Sequence, residues 1–329
     1  MRAVVIDKAG GPEVLELREV PTPAPCRGEV RVRVHATAVN RADLLQRAGA
    51  YPAPAGVPAD IPGLELAGEV DAVGEGVTEL ALGDRVYGLV GGGAYAEQVV
   101  AHARTLARMP SGMSFVDAAA VPEAFLTAWD AMVDQARLGA GETVLIHAAA
   151  SGVGTAALQI ARTVGARTIG TARTAEKMQR LGEIAELGLD HGIVVAGGAF
   201  AQEVLARTDG RGVDVVLELV GGAYLADDLA CLAPRGRIVV VGMMAGARAA
   251  VDLAILLGKR AEIRGTMLRS RPLEEKILVA RVLERRITPL LERGALRPIV
   301  DRVLPLAEAA DAHRALQANA SVGKIVLRV

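Results

Sequence analysis

The stretch Glu142-Thr-Val-Leu-Ile-His-Ala-Ala-Ala-Ser-Gly-Val-Gly-Thr-Ala-Ala-Leu-Gln-Ile-Ala-Arg162 constrains the fold of this 329-residue chain more than any other. Thr143 to His147 is a short, mostly apolar run rich in β-branched residues, and it follows the turn signal Gly139-Ala-Gly141. It reads as a buried strand. Ala148 to Gly154 carries almost no side-chain bulk, so a backbone turn there can approach a ligand closely. From Val153 onward, Leu158, Ile160 and Ala161 supply the apolar face of a helix. The N-terminus of that helix presents unpaired N–H groups and the positive end of a dipole, which suits a pyrophosphate. Only Gly152 and Gly154 of the usual three glycines are present, with Ser151 ahead of them and Val153 between them. Any tight strand-to-helix turn favours such residues, so the context decides. A strand precedes, a helix follows, and a second strand, 167–171, closes a βαβ unit of about 30 residues.

Length predicts two domains. With 51% hydrophobic and 23% charged residues the chain is globular and has ample material for a core. Lys plus Arg number 37 against 38 acidic residues, which gives no electrostatic case for nucleic acid. One Trp, four Tyr and three Phe leave little for base stacking. Cys26 and Cys231 have no partner at a metal-ligand spacing. The N-terminus lacks a signal-peptide core, and the longest uncharged apolar stretch, 238–247, is too short to span a bilayer. A soluble, cytoplasmic protein without membrane or nucleic-acid partners is expected.

Residues 1 to about 118 read as short strands and turns: 3–6, 15–17, 29–34, 69–73 and 83–87, with a short helix at 40–47. Val30, Val32 and Val34 share one face while Arg31 and Arg33 point the other way. From about Val121 strands alternate with helices. Strands are expected at 143–147, 167–171, 192–195, 213–219, 237–241 and 262–267, and helices at 153–164, 174–187, 200–208, 223–232 and 252–258. That alternation predicts an α/β doubly wound parallel sheet. The tail adds helices at 272–286 and 307–318, a Pro-punctuated segment at 298–305 and a strand at 324–328.

The end of the second strand of the βαβ unit bears on cofactor type. An acidic residue there would bond the ribose 2′-OH of NAD, whereas a basic one accommodates the 2′-phosphate of NADP. Thr171-Ala-Arg173 has no acid, and Lys177 follows one turn later, which favours NADPH. Val220-Gly-Gly222 and Gly242-Met-Met-Ala-Gly246 end later strands, where Gly242 would let the chain pass the nicotinamide-ribose half closely. His35, His102, His147, His191 and His313 show no clustering with partners and are expected in core or surface roles. Asp43 and Glu65 are expected to be buried structural carboxylates.

The order of parts resembles the medium-chain dehydrogenase/reductase superfamily: a GroES-like β domain, a Rossmann domain, and a tail returning to the first. Pro62-Gly-Leu-Glu-Leu-Ala-Gly-Glu-Val70, Gly74-Glu-Gly-Val77 and Gly83-Asp-Arg-Val86 carry the likeness. The resemblance implies a GroES-like catalytic domain at 1–120, completed by 268–329, and a Rossmann domain at 121–267. The family's zinc enzymes have Gly-His-Glu where this chain has Gly63-Leu-Glu65, and a Cys ligand where Asn40 stands. With two ligands gone, no metal is expected. Asn40-Arg-Ala-Asp-Leu-Leu-Gln46, Gly49-Ala-Tyr-Pro52, His147–Gly154 and Gly323-Lys-Ile-Val326 are similar to the zinc-free NADPH:quinone oxidoreductase branch, the zeta-crystallin-like enzymes.

That resemblance implies that Asn40 and Tyr51 line the pocket beside the nicotinamide with Thr127 near the cofactor. Ser151 to Gly154 would hold the pyrophosphate and Lys177 the 2′-phosphate. Met243, Met244 and Leu268 would pack around the nicotinamide end. Val195 stands where a Tyr touching the adenosine phosphate is common, Arg173 replaces a common Gly, and Asn319 stands where some members have Arg. The reaction it implies is direct hydride transfer from NADPH to a quinone in the interdomain cleft, which asks of the protein proximity and dry positioning. Two rivals stand beside it. One is an NADPH-dependent enoyl or enone reductase with Tyr51 as proton donor. The other is a non-enzymatic NADPH-binding protein. Pairing of the edge strand 262–267 implies a homodimer or higher homo-oligomer.

Overall fold

Six apolar runs form one parallel sheet, in the spatial order His191–Val194, Arg167–Ala172, Thr143–Ile146, Val213–Glu218, Leu232–Val240, Glu262–Gly265. In chain order this is 3-2-1-4-5-6, the doubly wound arrangement whose crevice lies beyond the carboxyl ends of the strands, where the winding reverses. Every residue of Val213–Glu218 is buried, as a strand covered on both faces requires. The helix Gly152–Val164 buries Ala156, Ala157, Leu158, Ile160 and Ala161 and stops at Gly165. The helix expected at 174–187 ends at Gly182, and a separate 3-10 turn follows at Ala185–Leu187.

This computed structural model describes all 329 residues. The sheet belongs to a unit spanning Thr127–Met267, and Met1–Leu126 with Leu268–Val329 form a second unit. The expected domain boundary at 120/121 differs from this division by six residues, because Val121–Leu126 packs with the unit that begins at Met1. No helix is long and apolar enough to cross a membrane.

The second unit is built on a seven-stranded sheet with a path running Val300–Pro305, Lys324–Arg328, Glu29–Val39, Glu65–Val73, Arg85–Leu89, Leu106–Arg108. Gln98–His102 also pairs with Glu29–Val39. Val30, Val32 and Val34 are buried, while Arg31 and Arg33 reach out to Asp71 at 2.7 Å and Glu69 at 2.8 Å. The tail closes this sheet. Ile325 lies opposite Val39, a register that brings Lys324 beside Asn40.

Two stretches depart from the sequence-based expectation. Val300–Pro305, expected only as part of a Pro-punctuated segment, is a strand, and its proline is tolerated because the strand lies at the sheet edge, where a donor is dispensable. Phe115–Ala119 and Pro122–Trp129 are helices that a strand-and-turn reading passes over. Ala118 to Val121, Ala124 to Leu126 and Ala128 are all buried, so no amphipathic period marks them.

A buried polar chain holds the helix Arg41–Arg47 against this sheet. Arg47 Nη1 donates to His313 Nδ1 at 3.2 Å, His313 Nε2 donates to the Tyr95 hydroxyl at 3.2 Å, and Tyr95 donates to Asp43 Oδ2 at 3.3 Å. Burial, assisted by Arg47, lowers the His313 pKa to about 3, so the ring is neutral and this tautomer follows. His313 therefore does have partners, a correction to the sequence reading. Asp43 also accepts the N–H groups of Asn40 at 2.8 Å and Gly63 at 3.1 Å. Tyr95→Phe, which strips one hydroxyl from between two buried groups, is expected to lower unfolding free energy by about 1–3 kcal/mol in a urea titration. An unchanged midpoint would contradict this role.

Candidate functional site

The strand Thr143–Ile146 runs into a turn whose tightness follows from its small residues. Ser151 N–H donates to Ala148 O at 2.8 Å, and the Ser151 hydroxyl accepts the Gly154 N–H at 3.0 Å, capping the helix Gly152–Val164. A Cβ on Gly154 would lie 2.5 Å from Ala148 O, so glycine is required for the helix to begin this close to the strand. The N–H groups of Gly152 and Val153 have no protein acceptor. Together with the dipole of a 13-residue helix they form an anion cradle at the carboxyl end of the first parallel strand.

The neighbouring strand ends deliver further groups to the same side of the sheet. Ala149 N–H donates to Thr171 O at 2.9 Å, tying the turn to the second strand. Arg173 follows, exposed, and Thr174 caps the next helix by accepting Lys177 N–H at 3.3 Å. At the far side the loops after Glu218 and Val240 touch: a Cβ on Gly222 would lie 2.5 Å from Ala245 O. Gly242 is packed against Leu219 O, while Met243 and Met244 are 61% and 52% exposed. Thr127 is buried, and Val195 lies in the core. Tyr224, which the sequence reading passed over, is the aromatic residue near these loops. Its ring meets His147 edge-on at 4.9 Å and Phe200 at 5.1 Å.

Beneath the turn lies a fully buried triad, His147, Glu218 and Asp228. His147 Nε2 is 2.7 Å from Asp228 Oδ1, and its Nδ1 is 2.9 Å from the Thr171 hydroxyl. Burial lowers the His147 pKa to about 4, so the ring is neutral, accepting from Thr171 and donating to Asp228. Glu218 Oε1 accepts the N–H groups of Val220 and Gly221. Burial is the largest cause raising both carboxyls, each to about 7. The expectation that His147 lacks partners is therefore overturned. A spacing of 81 residues between His147 and Asp228 leaves no local signal.

In the other unit, Asn40, Glu65 and Lys324 form a buried ionic cluster. Lys324 Nζ donates to Asn40 Oδ1 at 2.5 Å, Glu65 Oε1 at 2.7 Å and Val39 O at 3.3 Å, which uses all three ammonium hydrogens. Asn40 Nδ2 donates to Glu65 Oε1 at 2.8 Å and Ala38 O at 3.2 Å, so both amide hydrogens are also engaged. Glu65 Oε2 accepts the Glu123 N–H at 2.8 Å. The oxygens a cation would seek already hold an ammonium, and Leu64 offers no ligand atom. A zinc site needs three protein ligands, which these residues do not supply. Arg269, also absent from the sequence reading, lies over the Tyr51 ring at 5.0 Å and donates to Tyr51 O at 3.3 Å. Leu268 is buried next to it in sequence. Asn319 accepts from Arg41, the residue after Asn40.

Both clusters yield tests. Lys324→Met removes one partner of a buried ion pair and should cost about 3–5 kcal/mol of stability, part of it recovered on adding Glu65→Gln. A loss under 1 kcal/mol would refute the pairing. For the triad, the folded chain keeps a proton on Glu218 up to about pH 7 that the unfolded chain releases near 4.5. The stability this contributes is present below 4.5 and is lost as pH rises through 7. Glu218→Gln cannot ionise, so its stability relative to wild type should rise between pH 5 and 8 in urea titrations. A constant difference across that range would exclude a raised Glu218 pKa.

Two family models match the chain: an alcohol dehydrogenase GroES-like domain over residues 26–111 and a zinc-binding dehydrogenase over 187–327. Erythronolide synthase EryA2 of Saccharopolyspora erythraea is 49% identical over 191 residues, 57% of this chain but only 5% of that far longer protein. A crystal structure of an NAD-dependent alcohol dehydrogenase superposes with TM-score 0.85 at 34% identity, covering all of both chains. The Escherichia coli quinone oxidoreductase complexed with NADPH superposes with TM-score 0.88 at 31% identity, again covering all of both. These full-length likenesses, on a GroES-like unit and a doubly wound unit with a glycine turn at the end of its first strand, place the chain in the medium-chain dehydrogenase/reductase superfamily.

Proposed function

We propose that this chain is a zinc-independent, NADPH-dependent quinone reductase. The observation that carries the reading is the anion cradle at the switch point of the parallel sheet, formed by the free N–H groups of Gly152 and Val153. Those donors suit a pyrophosphate, and Gly154 lets the helix approach it. Arg173 stands exposed where an acid would select NAD, with Lys177 one turn on, and both suit a 2′-phosphate. NADPH, once bound, would supply a hydride. The full-length likeness to a quinone oxidoreductase complexed with NADPH supports both cofactor and acceptor. Thr127, Gly242, Met243, Met244 and Leu268 are assigned to the nicotinamide half. Asn40 acts by holding Glu65 and Lys324 in place.

The enone reading keeps support from two observations. One is the 49% identity to a polyketide synthase. The other is Tyr51, whose phenol is pushed up by burial, against the pull of Arg269, so that it keeps its proton at neutral pH. Quinone reduction needs no proton on carbon, so the two readings separate on one variant. Tyr51→Phe should leave quinone turnover within about twofold while lowering enone turnover about 100-fold or more. The reverse pattern would make the enone reading the better one. On the cofactor side, Arg173→Ala with Lys177→Ala should weaken NADPH binding by about 10–100-fold and leave NADH binding unchanged. Equal losses for both cofactors would remove the 2′-phosphate assignment. We further infer that copies pair across the Glu262–Gly265 edge, flanked by the exposed Leu257 and Met267.

A further inference from the structure

Glu123 opens the helix Pro122–Trp129 in the unit that holds Lys324. Its backbone N–H is committed to Glu65 Oε2 at 2.8 Å, which fixes the residue. Its carboxyl has no hydrogen bond or ion pair to any protein group. It lines a narrow cavity of about 30 Å³ together with Leu64, Thr105, Leu268, Arg269 and Lys276. That volume is room for about two water molecules, and the polar lining offers them partners. Leu64, Leu268 and the neighbouring aliphatic groups keep the rest dry.

The charges around this carboxyl oppose one another. Glu65 and Asp43 repel its anion, while Lys324 and Arg269 attract it. Tyr51 and Lys276 complete the surrounding titratable groups. The attraction is weakened because Lys324 is already neutralised by Glu65 and because Arg269 donates to Gly91 O, Tyr51 O and Gln46. Burial dominates, and the carboxyl is held at about 7. A carboxylic acid poised near the working pH is what general-acid chemistry requires.

We propose that Glu123 is the acid that supplies the proton consumed by the reduction, passing it through water held in this cavity; the assignment rests on the reductase reading above. The balance is simple. Hydride brings two electrons and one hydrogen to the acceptor, leaving a negative charge on a quinone oxygen or on the conjugated system of an enone. The O–H bond of Glu123 breaks, an O–H bond forms on the oxygen of the reduced acceptor, and the carboxylate regains a proton from solvent.

The test compares wild type with Glu123→Gln and Glu123→Asp, using a quinone and an enone with NADPH. Wild-type kcat should fall as pH rises through about 7, because the acid must be protonated. Glu123→Gln should lower kcat about 100-fold and lose that pH limb, whereas Glu123→Asp should keep a displaced one. A difference infrared titration of the whole protein should show a protonated carboxyl band that disappears near neutral pH and is missing from Glu123→Gln. If wild type shows no such band, or Glu123→Gln keeps both rate and pH limb, the inference fails while the reductase reading stands. A wild type inactive with every quinone and enone overturns both.

Discussion

The buried ion pair of Lys324 and Glu65 is the constraint on which the unit of Met1–Leu126 and Leu268–Val329 depends. Their side chains are 5% and 0% exposed, so each charge has lost its water. Such a pair is stable only when the remaining donors and acceptors are also satisfied. Asn40 provides that satisfaction, donating to Glu65 and accepting from Lys324. The three residues come from the end of one strand, the start of the next, and the first residue of the last strand of the chain. The cluster can therefore form only after the tail has added to the sheet, which couples residues 268–329 to the first 126. A divalent cation would have to displace an ammonium that already holds the same oxygens.

The doubly wound unit solves a similar problem with protons in place of ions. His147, Glu218 and Asp228 are buried under the glycine turn, where two ionised carboxylates would be costly. Burial favours the uncharged forms of both carboxyls, and Glu218 Oε1 accepts the Val220 and Gly221 N–H groups. The triad thereby braces the Ala148–Gly154 turn and the Val220–Gly222 loop from below. Both loops lie at the carboxyl ends of strands, so a polar core fixes the geometry of the anion cradle. Glu123 differs from all of these acids in having no protein partner, and that sets it apart as a group able to exchange a proton.

Much of the architecture was legible in local pattern. The valine–arginine alternation at 30–34, the apolar run at 143–147 and the small residues at 148–154 each dictate their own conformation. The helices at 115–129 were not legible, since an alanine-rich segment buried all round has no periodicity. Nor was the polar chemistry. Asn40 and Lys324 are 284 residues apart, and no spacing rule links them. His147 looked isolated because Asp228 reaches it from a helix three strands later. Tyr224 and Arg269 likewise gain meaning only from the rings and carbonyls they meet. Local sequence specifies elements, and pairings between distant elements specify the site.

Under the proposed function, hydride transfer needs no metal, because the Lys324 ammonium already holds the oxygens of Asn40 and Glu65. The most direct test of this is the metal content and turnover of the same preparation, dialysed against chelator and then assayed with NADPH and a quinone. The account predicts full turnover at substoichiometric zinc, unchanged on adding zinc back. Stoichiometric zinc held by Asn40 and Glu65, with activity lost on its removal and restored on its return, would contradict it.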